Sequence, residues 1–115
     1  MSMSYYNGFS PQERMKGFRL VKKAIAEGRI PEAKTLGCCL CGQKSGIIMY
    51  HSEDYSLDKI VAQVRPLCWT CHMMLHSRFR HPRSWTKYKA ERKAGQVAPP
   101  VFRHDFHQLD KYFID

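Results

Sequence analysis

The sequence has no long apolar run. Its longest apolar stretches, such as residues 46–50, approach only the length of one strand, whereas a membrane-spanning helix needs about 20 residues. The first residues also lack a basic segment followed by an apolar one, which is the pattern of a secretory leader. We therefore expect no membrane span and no export, and we predict a cytoplasmic protein.

Acidic residues are scarce. The 115 residues include 10 Asp and Glu against 19 Lys and Arg, which gives a formal charge of +9 and a pI near 9.5. This balance favours a polyanionic partner such as nucleic acid, although an anionic membrane could also attract it. Between Arg78 and Lys93, 7 basic residues stand against Glu91 alone. Aromatic residues alternate with them, so a phosphate-facing surface is favoured over a membrane helix, with a solvated helix face as the alternative.

Cysteines are few and odd in number, yet four of them are regularly spaced. The count of 5, with no leader expected, argues against a disulfide scaffold. Two Cys-x-x-Cys pairs can close a tetrahedral site of four thiolates around one zinc ion. We predict one structural Zn²⁺. Cys39 is left out, because a pair beginning there would have a single residue between its ligands. The predicted ligands are Cys38, Cys41, Cys68 and Cys71.

Local patterns predict the secondary structure. Ser10-Pro11-Gln12-Glu13 is a capping box with proline at the first helical position, and Gly28 supplies a stop, so a helix is expected near residues 11–27. Its apolar stripe, Met15, Phe18, Val21 and Ile25, is expected to face the core. Strands are expected at 47–51 and 64–67, a short helical turn from Ser56 to about Ala62, a helix from Trp69, another at 82–94, an extended linker at 97–100, and a last amphipathic helix from about 104 to 114.

These elements predict an α+β fold in a single domain spanning residues 1–115. The expected parts are an N-terminal helix at 11–28, a zinc-stapled core at 38–80, and basic and amphipathic C-terminal helices at 82–115. A chain of this size has room for a modest core, so a bound metal would contribute materially to its stability. The oligomeric state is left open.

The core segment resembles the zinc-stapled HNH endonuclease family. The residues that carry the resemblance are Cys-x₂-Cys-Gly at 38–42, a strand ending in His51, and Pro-Leu-Cys-x₂-Cys-His-x₃-His at 66–76. The resemblance covers about residues 38–80 and implies a ββα-metal fold. In that fold two hairpin strands and the following helix surround one divalent metal, and a histidine activates water against a phosphodiester.

The resemblance also implies roles for particular residues. By position, His51 is the general base, and His72 is a ligand of Mg²⁺ or another divalent metal, with His76 one helical turn later as a second ligand. Helical spacing independently puts His72 and His76 on one face. Gln63 falls where the family has an asparagine that orients the base. Tyr50 falls where the family has a metal-binding Asp or His, and Glu53 or Asp54 could supply the missing oxygen.

Two hypotheses follow. The first is a metal-dependent HNH-like nuclease, a hydrolase that nicks or cuts DNA with weak sequence preference. The second is a catalytically degenerate zinc module that binds nucleic acid or a protein partner, which Tyr50 favours. Double-stranded DNA is the expected nucleic acid, with the choice between DNA and RNA left open, and basic side chains could clamp the phosphates of either. The candidate nucleic-acid-binding residues are Arg65, Arg78, Arg80, Arg83, Lys87 and Lys89.

Overall fold

The computed structural model describes residues 4–115 and confirms a small α+β fold. Two compact units are present. The first unit consists of residues 4–32 and 50–65, and the second unit consists of residues 33–49 and 66–115. Within the described residues, none of the helices has both the length and the apolar character needed to cross a bilayer.

Helix α1 (Pro11–Ala26) begins at the predicted capping box. The Ser10 hydroxyl accepts a hydrogen bond from the Glu13 backbone N–H, and the Glu13 carboxylate accepts one from the Ser10 backbone. These bonds satisfy backbone donors that have no partner inside the helix. The helix ends at Glu27, and Gly28 follows with φ of +73°. The predicted helix is therefore confirmed, because all of its signals are local.

The face that α1 buries agrees with the predicted apolar stripe except at Met15. Val21 is buried, and Phe18 and Ile25 pack against the core, but Met15 is 45% exposed, and Arg14, Gly17 and Ala24 are buried as well. Arg14 lies between aromatic rings, with its guanidinium carbon 5.2 Å from the ring centroids of both Tyr6 and Tyr55. The core of the first unit consists of Tyr6, Val21, Tyr55, Ile60 and Val64.

Helix α3 (Ile60–Gln63) contributes Ile60 to this core and packs on α1. It begins later than predicted. The carbonyl of Ser56 accepts from the backbone N–H groups of Lys59 and Ile60, so residues 57–59 form turns rather than helix.

Strands β1 (Ile48–His51) and β2 (Arg65–Cys68) form a two-stranded antiparallel sheet. Both lie within one residue of their predicted bounds. Helix α4 (Trp69–His76) follows β2 without a break, and a 3₁₀ turn (Ser77–Phe79) extends it. In chain order α3 lies between the two strands, so the elements follow one another as β1, α3, β2 and α4.

The second unit packs around Trp69, which is fully buried and meets the ring of Phe106 edge-on at 5.3 Å. Helix α2 (Ala33–Leu36) leads into the first cysteine pair, and helix α5 (Pro82–Lys93) begins at proline as predicted. The tail helix is a 3₁₀ helix, Phe106–Tyr112, which buries Leu109 but leaves Phe106 61% exposed.

The predicted linker near residues 97–100 has no regular secondary structure but is packed onto the second unit. Ala98 and Val101 are buried, at 1% and 5% exposure. The Ala98 carbonyl accepts a hydrogen bond from Nε2 of Gln43 at 2.7 Å, and the Val101 carbonyl accepts one from the Ile47 N–H at 2.8 Å. This segment is therefore part of the structure around the first cysteine pair.

Candidate functional site

Four buried cysteines meet in the second unit. Their sulfur atoms all lie within 4.8 Å of one another, and the Sγ atoms of Cys41 and Cys68 are 3.8 Å apart. None of these thiols is in a disulfide. A tetrahedral zinc ion with Zn–S bonds of about 2.3 Å has its sulfurs about 3.8 Å apart. The cysteine cluster, Cys38, Cys41, Cys68 and Cys71, therefore fits a structural zinc ion, as the sequence predicted.

A tight turn shapes the first pair. The Cys38 N–H donates to the Gln43 carbonyl at 2.8 Å, and the Gly42 N–H donates to the Cys38 carbonyl at 2.9 Å. Gly42 has φ of +83°, so glycine is the favoured residue at this position. The exposed Cys39 lies outside the cluster, and its backbone N–H donates to the Pro66 carbonyl at 2.9 Å. That bond links the first pair to the strand that carries the second.

The second pair is part of α4. Cys68 is the N-cap of the helix, and Cys71 lies in its first turn. The Tyr88 hydroxyl from α5 lies 3.1 Å from Sγ of Cys71, and Tyr88 is itself only 2% exposed. Burial, together with the nearby Cys71 sulfur, raises the pKa of Tyr88, so its hydroxyl stays protonated and can donate to a thiolate. This contact could not be predicted from the sequence, since 17 residues separate its partners.

Hydrogen bonding within the cluster makes the four thiols unequal. Bonds from Cys41, Cys68 and Cys71 lower the pKa of Cys38, whereas bonding with Cys38 raises the pKa of Cys71. Four thiolates with sulfurs within 4.8 Å of one another would repel, so the cluster without a metal keeps part of its protons. A zinc ion would displace them, since only thiolates bind it well.

His72 and His76 are brought together by α4. Their Nε2 atoms are 3.0 Å apart, and their ring centroids are 4.7 Å apart. The i, i+4 spacing produces this approach, as the sequence predicted for one helix face. Both rings are half-buried. His72 directly follows Cys71 of the cysteine cluster, and His76 lies one helical turn beyond His72.

His51 is the last residue of β1 and is buried at 5% exposure. Its Nε2 contacts the Oε2 atom of Glu53. Gln63, the predicted orienting amide, donates to the Ser52 hydroxyl and to the Asp54 carbonyl, the latter at 2.8 Å. Gln63 thus fastens the loop that follows His51.

The Tyr50 side chain makes a hydrogen bond and packing contacts within the protein. Its hydroxyl donates to the Pro31 carbonyl at 2.5 Å, and its ring packs at the edge of the first unit's core. Burial raises the pKa of Tyr50, which keeps the phenol neutral. Asp54 is also occupied, because its Oδ1 accepts from the Ser56 N–H at 2.8 Å.

The predicted basic surface is smaller than the charge count indicates. Arg92 is buried with its guanidinium 4.5 Å from the Tyr88 ring centroid, and Arg78 lies over the Phe79 ring at 4.4 Å. Lys89 is half-buried, with its Nζ 5.5 Å from the Trp85 ring centroid. The candidate residues that remain exposed are Arg65, Arg80, Arg83 and Lys87.

Comparison with known proteins adds no assignment. No protein-family model, no curated protein and no solved structure matches this chain.

Proposed function

We propose that this protein is a zinc-stapled, HNH-like endonuclease that hydrolyses DNA phosphodiester bonds with a divalent metal. The observation that carries the proposal is the continuity of α4. One short helix has Cys68 as its N-cap, holds Cys71 in its first turn, and presents His72 and His76 as a pair. A zinc ion at the cysteine cluster would fix the base of this helix and thereby orient both imidazoles.

The spacing of the imidazoles supports a second metal. Two nitrogens bound at about 2.1 Å on adjacent corners of an octahedral ion are about 3.0 Å apart. The Nε2 atoms of His72 and His76 have this separation of 3.0 Å. When bound, such an ion would neutralise charge on the phosphate and stabilise the leaving oxygen.

His51 is the proposed general base. An imidazole with a pKa near 6.5 is largely neutral at physiological pH and can accept a proton from water. The resulting hydroxide would attack phosphorus, and the 3′ oxygen would leave.

We predict that the zinc-loaded protein nicks supercoiled plasmid when Mg²⁺, Mn²⁺ or Ni²⁺ is added, and that His51→Ala lowers the rate by about 10²- to 10⁴-fold. The reason is that the variant lacks the proton acceptor while its metal ligands are unchanged. Gel quantification of the nicked and linear forms gives the rates.

His107→Ala is the matched control, because the His107 side chain is 95% exposed. It should cut at the wild-type rate. A His51→Ala protein as active as wild type contradicts the assignment of the base. If the wild-type protein fails to cut DNA with each of the three ions, the nuclease assignment is contradicted.

The second candidate function is a zinc module that binds nucleic acid or a protein without cutting. The observation in its favour is Tyr50, whose neutral hydroxyl already donates to the Pro31 carbonyl. A neutral phenol is a poor ligand for a hard cation, so the metal site would lack one anionic oxygen. Binding of DNA without cleavage is the result that would favour this function.

We predict duplex DNA binding that weakens steeply with salt. Arg80, Arg83 and Lys87 are exposed, and the last two lie one helical turn apart on α5. Each neutralised phosphate contributes about 0.9 to the slope of log K against log salt, so replacing all three by alanine should lower the slope by about 2 to 3. Fluorescence anisotropy of labelled duplex DNA over a salt series measures the binding constant K and hence this slope.

The control is a triple alanine variant on α1 in the first unit, at Lys16, Arg19 and Lys22. These residues are also exposed, and their removal makes the same change in net charge. An equal loss of slope in both variants would mean that only total charge matters. An unchanged slope in the α5 variant would make that surface a solvated helix face.

A further inference from the structure

The carboxylate of Glu53 is held by side chains from the N-terminal segment. The Tyr6 hydroxyl donates to its Oε2 atom, and Nδ2 of Asn7 donates to its Oε1 atom at 2.9 Å. Asn7 also donates to the Glu53 carbonyl at 3.2 Å. The same Oε2 atom that accepts the hydrogen bond from Tyr6 also contacts Nε2 of His51. Glu53 therefore has a fixed position beside the His51 ring.

The donors are preorganised by a tight turn. Tyr6 and Phe9 pair through two backbone hydrogen bonds of 3.0 and 2.9 Å. Between them, Asn7 has φ of +50° and Gly8 has φ of +81°. An Asn-Gly pair with both φ values positive is the favoured two-residue hairpin turn. The turn thus presents Tyr6 and Asn7 together without further ordering.

Tyr6 also contacts His51 directly. Its ring meets the imidazole edge-on, with centroids 5.8 Å apart, and both residues are buried, at 8% and 5% exposure. Burial alone would raise the pKa of Glu53, but the hydrogen bonds from Tyr6, His51 and Asn7 outweigh it and lower that pKa to about 2. Glu53 is therefore ionised and acts as an acceptor only.

We propose that Glu53, held by Tyr6 and Asn7, is a positioning residue that fixes the tautomer of His51. A carboxylate that accepts from Nε2–H leaves the lone pair on Nδ1. In the proposed reaction, on which this inference rests, Nδ1 is then the atom that takes the proton from water. The competing role for Glu53 is that of the oxygen ligand that Tyr50 does not provide.

The tautomer can be measured without any cleavage. Long-range ¹H–¹⁵N spectra of the zinc-loaded protein distinguish Nδ1 from Nε2 protonation in each neutral histidine, at a pH above about 8. His51→Ala identifies the His51 signals among the 6 histidines. We expect wild-type His51 to be protonated on Nε2. In Glu53→Ala the two tautomers should become mixed, whereas Glu53→Gln should restore the wild-type tautomer, because its amide oxygen can still accept.

Tyr6→Phe removes one hydrogen bond that holds the Glu53 carboxylate and leaves both Glu53 and His51 unchanged. It should shift the His51 tautomer in the same direction as Glu53→Ala but less far. Tyr5→Phe is the matched control, since Tyr5 is 74% exposed, and it should leave the spectrum unchanged. Protonation on Nδ1 in the wild type, or an identical tautomer in wild type and Glu53→Ala, overturns the proposal.

Metal binding separates positioning from ligation. Titration of wild type and Glu53→Gln with Mn²⁺ should give the same affinity if Glu53 acts only through His51. A loss of Mn²⁺ affinity of about tenfold or more is the effect expected when a metal ligand or its direct hydrogen-bond partner is changed. That result would identify Glu53 as part of the metal site instead.

Cleavage adds an independent readout. If the wild type cuts DNA, Glu53→Ala should lower kcat by about tenfold or more with little change in KM, because the group acts on the chemical step. An unchanged kcat would overturn the role in catalysis. If the wild type does not cut, the proposed function fails, while the tautomer measurement still decides whether Glu53 positions His51.

Discussion

Cys71→Ser is expected to yield a protein whose second unit is largely unfolded and which retains little zinc. A serine hydroxyl stays protonated near neutral pH and does not replace a thiolate ligand. Structural zinc contributes about 10–16 kcal/mol of binding free energy in small zinc-binding peptides, which is as large as the whole stability of a typical domain, about 5–15 kcal/mol. The folded form would have to bury the other three cysteines around an incomplete site, which disfavours folding.

Elemental analysis and thermal unfolding check this prediction. Wild-type protein purified without added metal should carry about one zinc per chain, and chelation should abolish its cooperative unfolding. Cys39→Ser is the control, since Cys39 is exposed and outside the cluster. It should keep both the zinc and the transition. A wild type that contains no zinc and unfolds cooperatively in chelator would falsify the zinc staple.

Gly46→Ala is expected to lower the free energy of unfolding by about 2–5 kcal/mol. A Cβ at this position would lie 2.5 Å from the Val101 carbonyl oxygen, and φ is +74°. The neighbouring backbone cannot move away freely, because the same oxygen accepts from the Ile47 N–H at 2.8 Å. Relief of the clash would therefore break that hydrogen bond.

Gly28→Ala isolates the clash from the backbone strain. Gly28 has a similar φ of +73°, but a Cβ there would have no atom within 4 Å. We expect it to lower the free energy of unfolding by about 1–2 kcal/mol, the strain of a left-handed alanine alone. Urea unfolding of both variants gives the comparison. An equal loss of unfolding free energy in the two variants would show that residues 97–101 move aside to accommodate the added Cβ with little loss of stability.

Features coded by neighbouring residues were predictable from sequence. The capping box of α1, the proline at the start of α5 and the cysteine spacing each rely on contacts within a few residues, and all agree with the structure. The approach of His72 and His76 was equally accessible, because it needs only the geometry of one helix turn.

Features that depend on distant partners were not predictable. Arg14 lies outside the predicted apolar stripe of α1, yet it is buried between two tyrosine rings that come from other segments. Met15 was expected in the core, yet the close approach of α3 to Gly17 turned the helix face away from it. Periodicity counts apolar side chains and therefore misses a face made by a glycine and an arginine.

The same limit applies to the candidate site. Nothing in the spacing of Tyr6 and Glu53 indicates their contact, because 47 residues separate them. The charge count likewise treated Arg92 as surface, although aromatic rings cover it. Sequence reasoning therefore located the cysteines and histidines of the candidate site and missed the distant side chains that contact them.

The packing of residues 97–101 beside the first cysteine pair bears on how quickly a bound zinc ion could exchange with solution. Ala98 is 1% exposed, and its carbonyl is bonded to Gln43, two residues beyond Cys41. Cys41 is buried at 6% exposure, so a chelator reaches its sulfur only when the residues packed beside it, this segment among them, open locally. The residence time of the metal is then governed by the opening rate of a segment that contributes no ligand, so zinc can be kinetically inert even where its equilibrium affinity is ordinary.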